Sequence, residues 1–463
     1  MSTLIKLGKT SIIYFLGNVL SRSIGFFLLP LYTKFILPED YGYFDVSISY
    51  LALFSSVIFF EIHNGILRYV IKSDNPIDKD KYIYSGISIY LSSMLVYSII
   101  FGCIYVLFDI KHLPLIYICG IFENFLFVLL AISRGYGKNT LYAISGLIGA
   151  AVIGISNIIF IAYLNLGYTS LYYSLILSYI IQILFLEFYL HLIPKFKKQN
   201  INKANIRILL TFALPLCLNS MAYWGLTGYN KIAINSLLGF ESSGIYAIVY
   251  KFSFIINLFM SCFLLAWQEV AFSNKNQSDF YNKAINSYIL FVGVGAIMIL
   301  PIISVVFPYI IDESYSTAKN AIPLLICGTM LSTISTFLGS IYGAIEKTKI
   351  IVYTTIIGCI VNISLVHLLL NIWGLNGANV SFTLAFMCCV SARIYILKKN
   401  IYIKLNWGNI FLIVSCIIIA YLIFIKCSPL WNFTFFLLIG LLLAILLKKH
   451  LLALYYYARK KNQ

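Results

Sequence analysis

Fourteen stretches of about 20 mostly apolar residues follow one another along this chain, separated by short polar connections. A helix of that length crosses the hydrocarbon core of a bilayer, where every backbone polar group must find its hydrogen-bond partner within the protein. Charged residues make up only 11% of the 463, whereas water-soluble domains carry about 25%. The sequence therefore predicts an all-α polytopic membrane protein. We place the spans approximately at residues 11–33, 43–63, 83–107, 113–133, 141–163, 169–190, 207–230, 243–267, 285–310, 320–344, 350–371, 375–397, 408–426 and 430–448.

The basic residues alternate between the two ends of these spans. If the N-terminus is cytoplasmic, every inner segment contains at least two lysines or arginines, whereas each outer end contains at most one. Cytoplasmic loops of multi-pass proteins carry this excess of positive charge, so we predict that both termini are cytoplasmic. The same topology explains the net charge of +17. Because no nucleic-acid motif accompanies that charge, we expect no nucleic-acid partner.

The sequence also contains an internal repeat. The segment "LPEDYGYFDVSISY" after the first span resembles "LGFESSGIYAIVYKF" after the seventh, so that Gly42 matches Gly244, and Asn157 similarly matches Asn362. Repeats that start on the same side of the membrane are related by an axis along its normal. We therefore predict two six-helix lobes related by a pseudo-twofold axis, plus two C-terminal helices. The predicted units are an N-terminal lobe at 1–195, a cytoplasmic linker at 196–206, a C-terminal lobe at 207–400, and the last two helices with a basic tail at 401–463.

Polar side chains recur on one face of the first, second, seventh and eighth spans when positions are sorted at 100° per residue. Packing between helices explains any single stripe as well as a water-filled cavity does. These four spans, however, face each other in a two-lobe transporter, so the four stripes together favour a cavity. The binding candidates are Asn18, Arg22, Asn219, Tyr223, Tyr250 and Asn257, together with Lys251, which lies about 100° from the stripe of the eighth span.

Arg22 lies about halfway along the first span, where a guanidinium costs about 2.5–3.5 kcal/mol. One interpretation is an ion pair with Glu123, at a similar depth in the fourth span. The other, which we favour, is anion binding, because the guanidinium fork suits phosphate oxygens. If Glu123 is not paired with Arg22, it is the first candidate for binding a coupling ion, and Asp45 is the second. Lys231, near the outer end of the seventh span, is predicted to be interfacial.

Motifs for enzymatic chemistry do not occur in the sequence. It contains neither a phosphate-binding GxxxxGK[ST] nor a nucleophile elbow, and its ten cysteines form no CxxC and no metal-ligand cluster. A membrane-embedded polymerase or ligase would need a sizeable external loop, and the connections are short. We therefore predict a transporter, not an enzyme, that has no cofactor and is driven by ion gradients or by substrate flux.

Several segments resemble Wzx-type polysaccharide flippases, members of the multidrug/oligosaccharidyl-lipid/polysaccharide exporter superfamily. They are "GKTSIIYFLGNVLSRSIGFFLLPLYTKFILPEDYGYFD", "GILRYV", "FALPLCLNSMAYWGLTGYNKIAINSLLGFESSGIYAIVYKF" and "GAIEKTK". The resemblance extends over essentially the whole chain, although its motifs are loose. Many members of the family have twelve helices, whereas two more are predicted here.

The resemblance implies a flippase of the bacterial plasma (inner) membrane. It would carry undecaprenyl-diphosphate-linked oligosaccharide repeat units for O-antigen, lipopolysaccharide, capsule or another polysaccharide to the outer face by alternating access. It also implies that Arg22 meets the pyrophosphate, and that the polymerase and glycosyltransferases of the same pathway are potential partners. The alternatives are a lipid II flippase or a drug/cation antiporter of the same superfamily. The antiporter is disfavoured because the first span carries Arg22 and no carboxylate.

Overall fold

The computed structural model describes residues 23–192, 194, 201–273, 278–345, 347–399 and 403–441. Ten helices in these ranges are long and apolar enough to cross a membrane, or eleven if one bent pair counts as a single span. The chain is therefore an all-α, multi-pass membrane protein. In chain order the helices are α1 (Leu29–Phe35), α2 (Pro38–Ile58), α3 (Ile62–Lys72), α4 (Pro76–Leu107), α5 (Leu113–Gly135), α6 (Asn139–Asn157), α7 (Thr169–Leu190), α8 (Lys203–Thr227), α9 (Tyr229–Ser273), α10 (Ser278–Ile310), α11 (Ile322–Ala344), α12 (Thr348–Trp373), α13 (Leu375–Lys398), α14 (Trp407–Lys426) and α15 (Pro429–Leu441). A π-helical turn, Ile158–Tyr163, continues α6, and a 3₁₀ helix, Glu313–Ala321, precedes α11.

The second predicted span is bent. α2 and α3 meet at 51°, and the break contains Phe60 and Glu61, whose φ angles are 53° and 52°. The "GILRYV" stretch, which we had expected to lie in an inner connection, is therefore helical and belongs to α3. Ile66 and Val70 of α3 are fully buried, and this burial explains why the chain stays helical beyond the bend.

The predicted connection between the seventh and eighth spans is also largely helical. α8 ends at Thr227 and α9 begins at Tyr229. Within the first part of α9 the backbone leaves helical geometry only at Gly239, where φ is 83°. Glycine adopts this conformation without the steric cost of a side chain. The turn between the two spans is therefore much shorter than the sequence predicted.

The two halves of the chain pack together along α2, which lies against α8. The Ser49 hydroxyl donates to the Gly228 carbonyl over 3.1 Å, and Trp224 Nε1 donates to the Ser49 carbonyl over 2.8 Å. Further along, the Cys217 thiol lies 3.1 Å from the Ser56 carbonyl oxygen. Side chains that bond to backbone oxygens across this contact fix the register of the two helices.

Glycines that the internal repeat makes equivalent meet where α2 crosses α9. A methyl group built on Gly42 would lie 2.6 Å from the backbone nitrogen of Gly244, and one built on Gly244 would lie 3.0 Å from the backbone nitrogen of Gly42. Contact between equivalent residues is expected at a twofold axis. The crossing therefore agrees with the pseudo-twofold arrangement predicted from the repeat, while the lobe boundaries and the orientation of the termini stay predictions.

Candidate functional site

Charged side chains meet between α2 and α9. Lys231 Nζ lies 2.9 Å from Asp45 Oδ1, and the two side chains keep only 16% and 15% of their surface exposed. The same ammonium group lies 5.0 Å from the centre of the Tyr250 ring, a cation–π contact. The prediction that Lys231 is interfacial did not include a partner for its charge, whereas the structure places its mostly buried side chain against Asp45. The Lys231 side chain pairs with Asp45, because burying an unpaired ammonium group costs more solvation free energy than its other contacts with the protein recover.

Lys251 adds a second positive charge at this place. A methyl group built on Gly25, in the helical turn before α1, would lie 3.1 Å from Lys251 Nζ. Three ion pairs occur among the described residues, and none of them includes Lys251. Lys251 nevertheless interacts electrostatically with Asp45 and Lys231. We call Asp45, Lys231, Tyr250 and Lys251 the cationic cluster, because it contains two ammonium groups and only one carboxylate.

A cavity of about 350 Å³ lies among α8, α11, α12 and α13. Two predicted binding residues, Asn219 and Tyr223, line it, and Tyr223 has 46% of its surface exposed. Tyr223 lies near Tyr250 of the cationic cluster and near Arg393. The cavity is therefore close to the cluster. The other polar lining residues are Ser335, Thr336, Ser340, Thr355 and Arg393.

Arg393 is buried in the wall of this cavity, with 5% of its surface exposed. Its Nε donates to the Thr354 hydroxyl over 2.9 Å, and its Nη2 donates to the Thr355 hydroxyl over 3.0 Å. Its Nη1 donates to the carbonyl of Ser335. All these partners are neutral, and no described ion pair includes Arg393. The wall therefore carries a positive charge that hydrogen bonds hold in place and that no carboxylate of the described residues pairs with.

We expect Arg393→Met to lower the free energy of unfolding by about 2–4 kcal/mol, because it leaves several buried hydrogen-bonding groups without a partner. Thermal unfolding of the purified protein in detergent measures the effect. Arg134→Met is the matched control, since Arg134 is exposed and its guanidinium lies over the Tyr142 ring, 5.3 Å from the ring centre. Equal melting temperatures for the two variants would contradict the structural role of Arg393.

The remaining predicted site residues are Asn18, Arg22, Asn257 and Glu123. Asn18 and Arg22 are outside the described residues. Asn257 is half-buried on α9. Glu123 of α5 accepts a long hydrogen bond of 3.5 Å from the Tyr179 hydroxyl, away from the cationic cluster. Whether Glu123 pairs with Arg22 is therefore untested, and Glu123 and Asp45 stay predictions as ion-binding residues.

Two basic residues of the site were not among the predicted candidates. Arg393 falls within the predicted span 375–397, and the apolar turn Ile394–Leu397 separates it from Lys398. That turn was a usable sign that Arg393 is buried among the helices. Nothing in the sequence near Lys231 indicated its partner, because Asp45 is 186 residues away.

Comparison with known proteins agrees with this architecture. The family described as "Polysaccharide biosynthesis protein" matches residues 7–268, more than half of the chain. No curated protein matches the sequence.

Solved structures share the fold over most of the chain. The lipid II flippase MurJ in an inward closed conformation has a TM-score of 0.68 at 15% identity, covering 96% of this chain and 99% of its own. An inward-facing multidrug resistance MATE family transporter of the MOP superfamily has a TM-score of 0.66 at 13% identity, covering 88% and 98%. A MOP superfamily transporter from Pyrococcus furiosus has a TM-score of 0.61 at 14% identity, covering 88% and 96%. The resemblance found in the sequence is thus confirmed: the chain belongs to the polysaccharide biosynthesis protein family and has the fold of MOP superfamily transporters.

Proposed function

We propose that the protein is a flippase that moves undecaprenyl-diphosphate-linked oligosaccharide repeat units from the cytoplasmic to the outer face of the bacterial inner membrane. The units would serve O-antigen, capsule or exopolysaccharide synthesis, and the protein would work beside the polymerase and glycosyltransferases of that pathway. The family supports polysaccharide synthesis as the process, and the transporter fold supports alternating access as the mechanism.

The observation that carries this proposal is the excess positive charge of the cationic cluster. Lys231 is neutralised by Asp45, whereas Lys251 has no ion-pair partner among the described residues. A diphosphate brings about two negative charges into a region where unit charges attract each other much more strongly than in water. Lys251 would therefore bind phosphate oxygens. Arg22 belongs to the same proposal, because the polar stripe predicted for the first span places it on the face of Gly25, which lies beside Lys251.

The polar cavity beside the cluster suits the sugars of the repeat unit. Its hydroxyl and amide groups can donate to and accept from sugar hydroxyls, its guanidinium group can donate to them, and the exposed Tyr223 is available for stacking. A drug/cation antiporter is the weaker candidate, because an organic cation would meet Lys231, Lys251 and Arg393. A lipid II flippase would also need positive charge to bind its substrate. The experiment must therefore distinguish lipid II from lipid-linked repeat units.

Complementation of a strain that lacks this gene tests the proposal. We expect the wild type to restore surface polysaccharide and to clear lipid-linked repeat units from the cytoplasmic side. At matched membrane levels, Lys251→Ala and Arg22→Ala should each reduce polymer at least about tenfold, the loss expected for one or two charge-assisted hydrogen bonds. Lys426→Ala, which removes an exposed lysine at the end of α14, should complement fully.

Three outcomes would count against the proposal. If the wild type instead rescues cells depleted of a lipid II flippase and leaves the polysaccharide unchanged, the substrate is lipid II. If wild type restores neither, the flippase assignment fails. If Lys251→Ala and Arg22→Ala both complement fully, the flippase assignment stands, but the cationic cluster is not its phosphate site.

A further inference from the structure

A second cavity, of about 650 Å³, lies at the helix ends that are predicted to face outward. The first turns of α2 and the connection between α4 and α5 form its rim. Residues one to four turns deeper in α2 and α4 form its wall, and α9 closes one side with Asn235 and Phe240. The proposed flippase mechanism uses none of these residues.

The rim is polar and charged. It contains three carboxylates, from Glu39, Asp40 and Asp109, and one ammonium group, from Lys111. None of the ion pairs among the described residues includes any of these four side chains. The carboxylates and the ammonium group are therefore both available to a ligand that carries charges of both signs.

The wall below the rim is apolar and aromatic. Phe54 and Phe101 pack with ring centres 6.1 Å apart, and Ile104 lies beside them in the lining. Above them the ring of Tyr50 keeps 42% of its surface exposed. In α2 the rim residue Asp40 precedes Phe54 by fourteen positions, which corresponds to about 21 Å along a helix. The cavity thus changes from charged to apolar over a distance comparable to half a bilayer.

We propose that this cavity binds a zwitterionic aminophospholipid of the phosphatidylethanolamine type. The ammonium group would lie among Asp40, Glu39 and Asp109, the phosphate would meet Lys111, and an acyl chain would extend along the apolar wall. Hydrated sugars fit poorly because the deepest lining residues, Phe54, Phe101 and Ile104, have no hydrogen-bonding side chains. A simple organic cation would leave Lys111 as a repulsive neighbour, and an anionic lipid would face three carboxylates.

A lipid in this cavity would also contact both sides of the crossing between α2 and α9. Tyr43 of α2 and Phe240 of α9 both line the cavity, and their ring centres lie 5.2 Å apart. A ligand that touches both rings binds the packed arrangement better than a separated one, and it therefore stabilises that arrangement. The proposal does not depend on the substrate that the protein transports.

Lipid binding to the purified full-length protein, measured by native mass spectrometry from delipidated detergent, tests the proposal. We expect phosphatidylethanolamine to bind at least about tenfold more tightly than phosphatidylglycerol of the same chains, because only the former carries an ammonium group. Asp40→Asn and Lys111→Gln should each weaken phosphatidylethanolamine about threefold, as expected for exposed charge pairs. Glu313→Gln is the control, since Glu313 is an exposed carboxylate outside this cavity.

Binding to the Lys111→Gln variant distinguishes a zwitterionic ligand from a simple cation. Tetraphenylphosphonium serves as the probe for a simple lipophilic cation. If Asp40→Asn weakens tetraphenylphosphonium binding, Lys111→Gln strengthens it, and phosphatidylethanolamine shows no preference over phosphatidylglycerol, the cavity binds cations and the phospholipid proposal is wrong. Equal effects of Asp40→Asn, Lys111→Gln and Glu313→Gln on phosphatidylethanolamine would also overturn it.

Discussion

Gly42→Ile is expected to abolish transport while leaving the protein in the membrane. A side chain at this position would enter the backbone of Phe240 and lie 2.6 Å from the backbone nitrogen of Gly244. Overpacking usually costs about 1–3 kcal/mol of stability when the neighbouring side chains can change rotamer. Here the obstructing atoms belong to the backbone, which has no alternative rotamer. α2 and α9 must therefore separate at the crossing. The transport cycle then loses the arrangement in which these two helices are packed together.

Two measurements check this prediction. Complementation should fall to the level of the empty vector, whereas Gly102→Ile should complement, because a methyl group built on Gly102 meets no atom within 4 Å. In a background without native cysteines, Tyr43→Cys and Phe240→Cys should form a disulfide when Gly42 is present and not when it is replaced. Wild-type transport by Gly42→Ile would show that the crossing is not needed in the cycle.

The sequence predicted that Gly42 and Gly244 are equivalent, although it did not predict that they touch. The spans followed from runs of apolar residues, and the repeat made Gly42 and Gly244 equivalent. Equivalent residues of two halves can touch only near the axis that relates them, and the structure places these two in contact. Helical periodicity likewise identified polar faces on α8 and α9, and Asn219, Tyr223 and Tyr250 all lie at the candidate site.

Periodicity identifies the face of a helix but not its neighbour. The partner of Lys231 depends on how α9 packs against α2, and the bonds of Arg393 depend on two other helices, α11 and α12. The bend at Phe60 and Glu61 was missed for a different reason. The basic residues of α3 were interpreted as a loop at the membrane surface, whereas its buried face packs against Leu209 of α8 through Gly65.

Asp45→Ala is expected to lower the free energy of unfolding by about 3–5 kcal/mol, because it leaves the Lys231 ammonium without its counter-charge in a mostly buried position. Lys231→Met should destabilise the protein for the converse reason. The double variant Asp45→Asn with Lys231→Met removes both charges, so it should recover most of the stability that either single change loses. Asp78→Ala is the control, because Asp78 pairs with Lys81 at an exposed position, where an ion pair contributes about 0–1 kcal/mol.

Thermal unfolding of all four proteins, combined with complementation, separates two roles of the ion pair. If the double variant recovers both stability and transport, the pair serves only to hold α2 against α9, and Lys251 is the lysine of the cluster that remains for the diphosphate. If stability recovers and transport does not, the charges themselves act in the cycle, either in substrate binding or in the separation of the two helices. If neither single variant is less stable than the Asp78→Ala control, the pair is not buried in the working protein. The cationic cluster would then have to be defined without this ion pair.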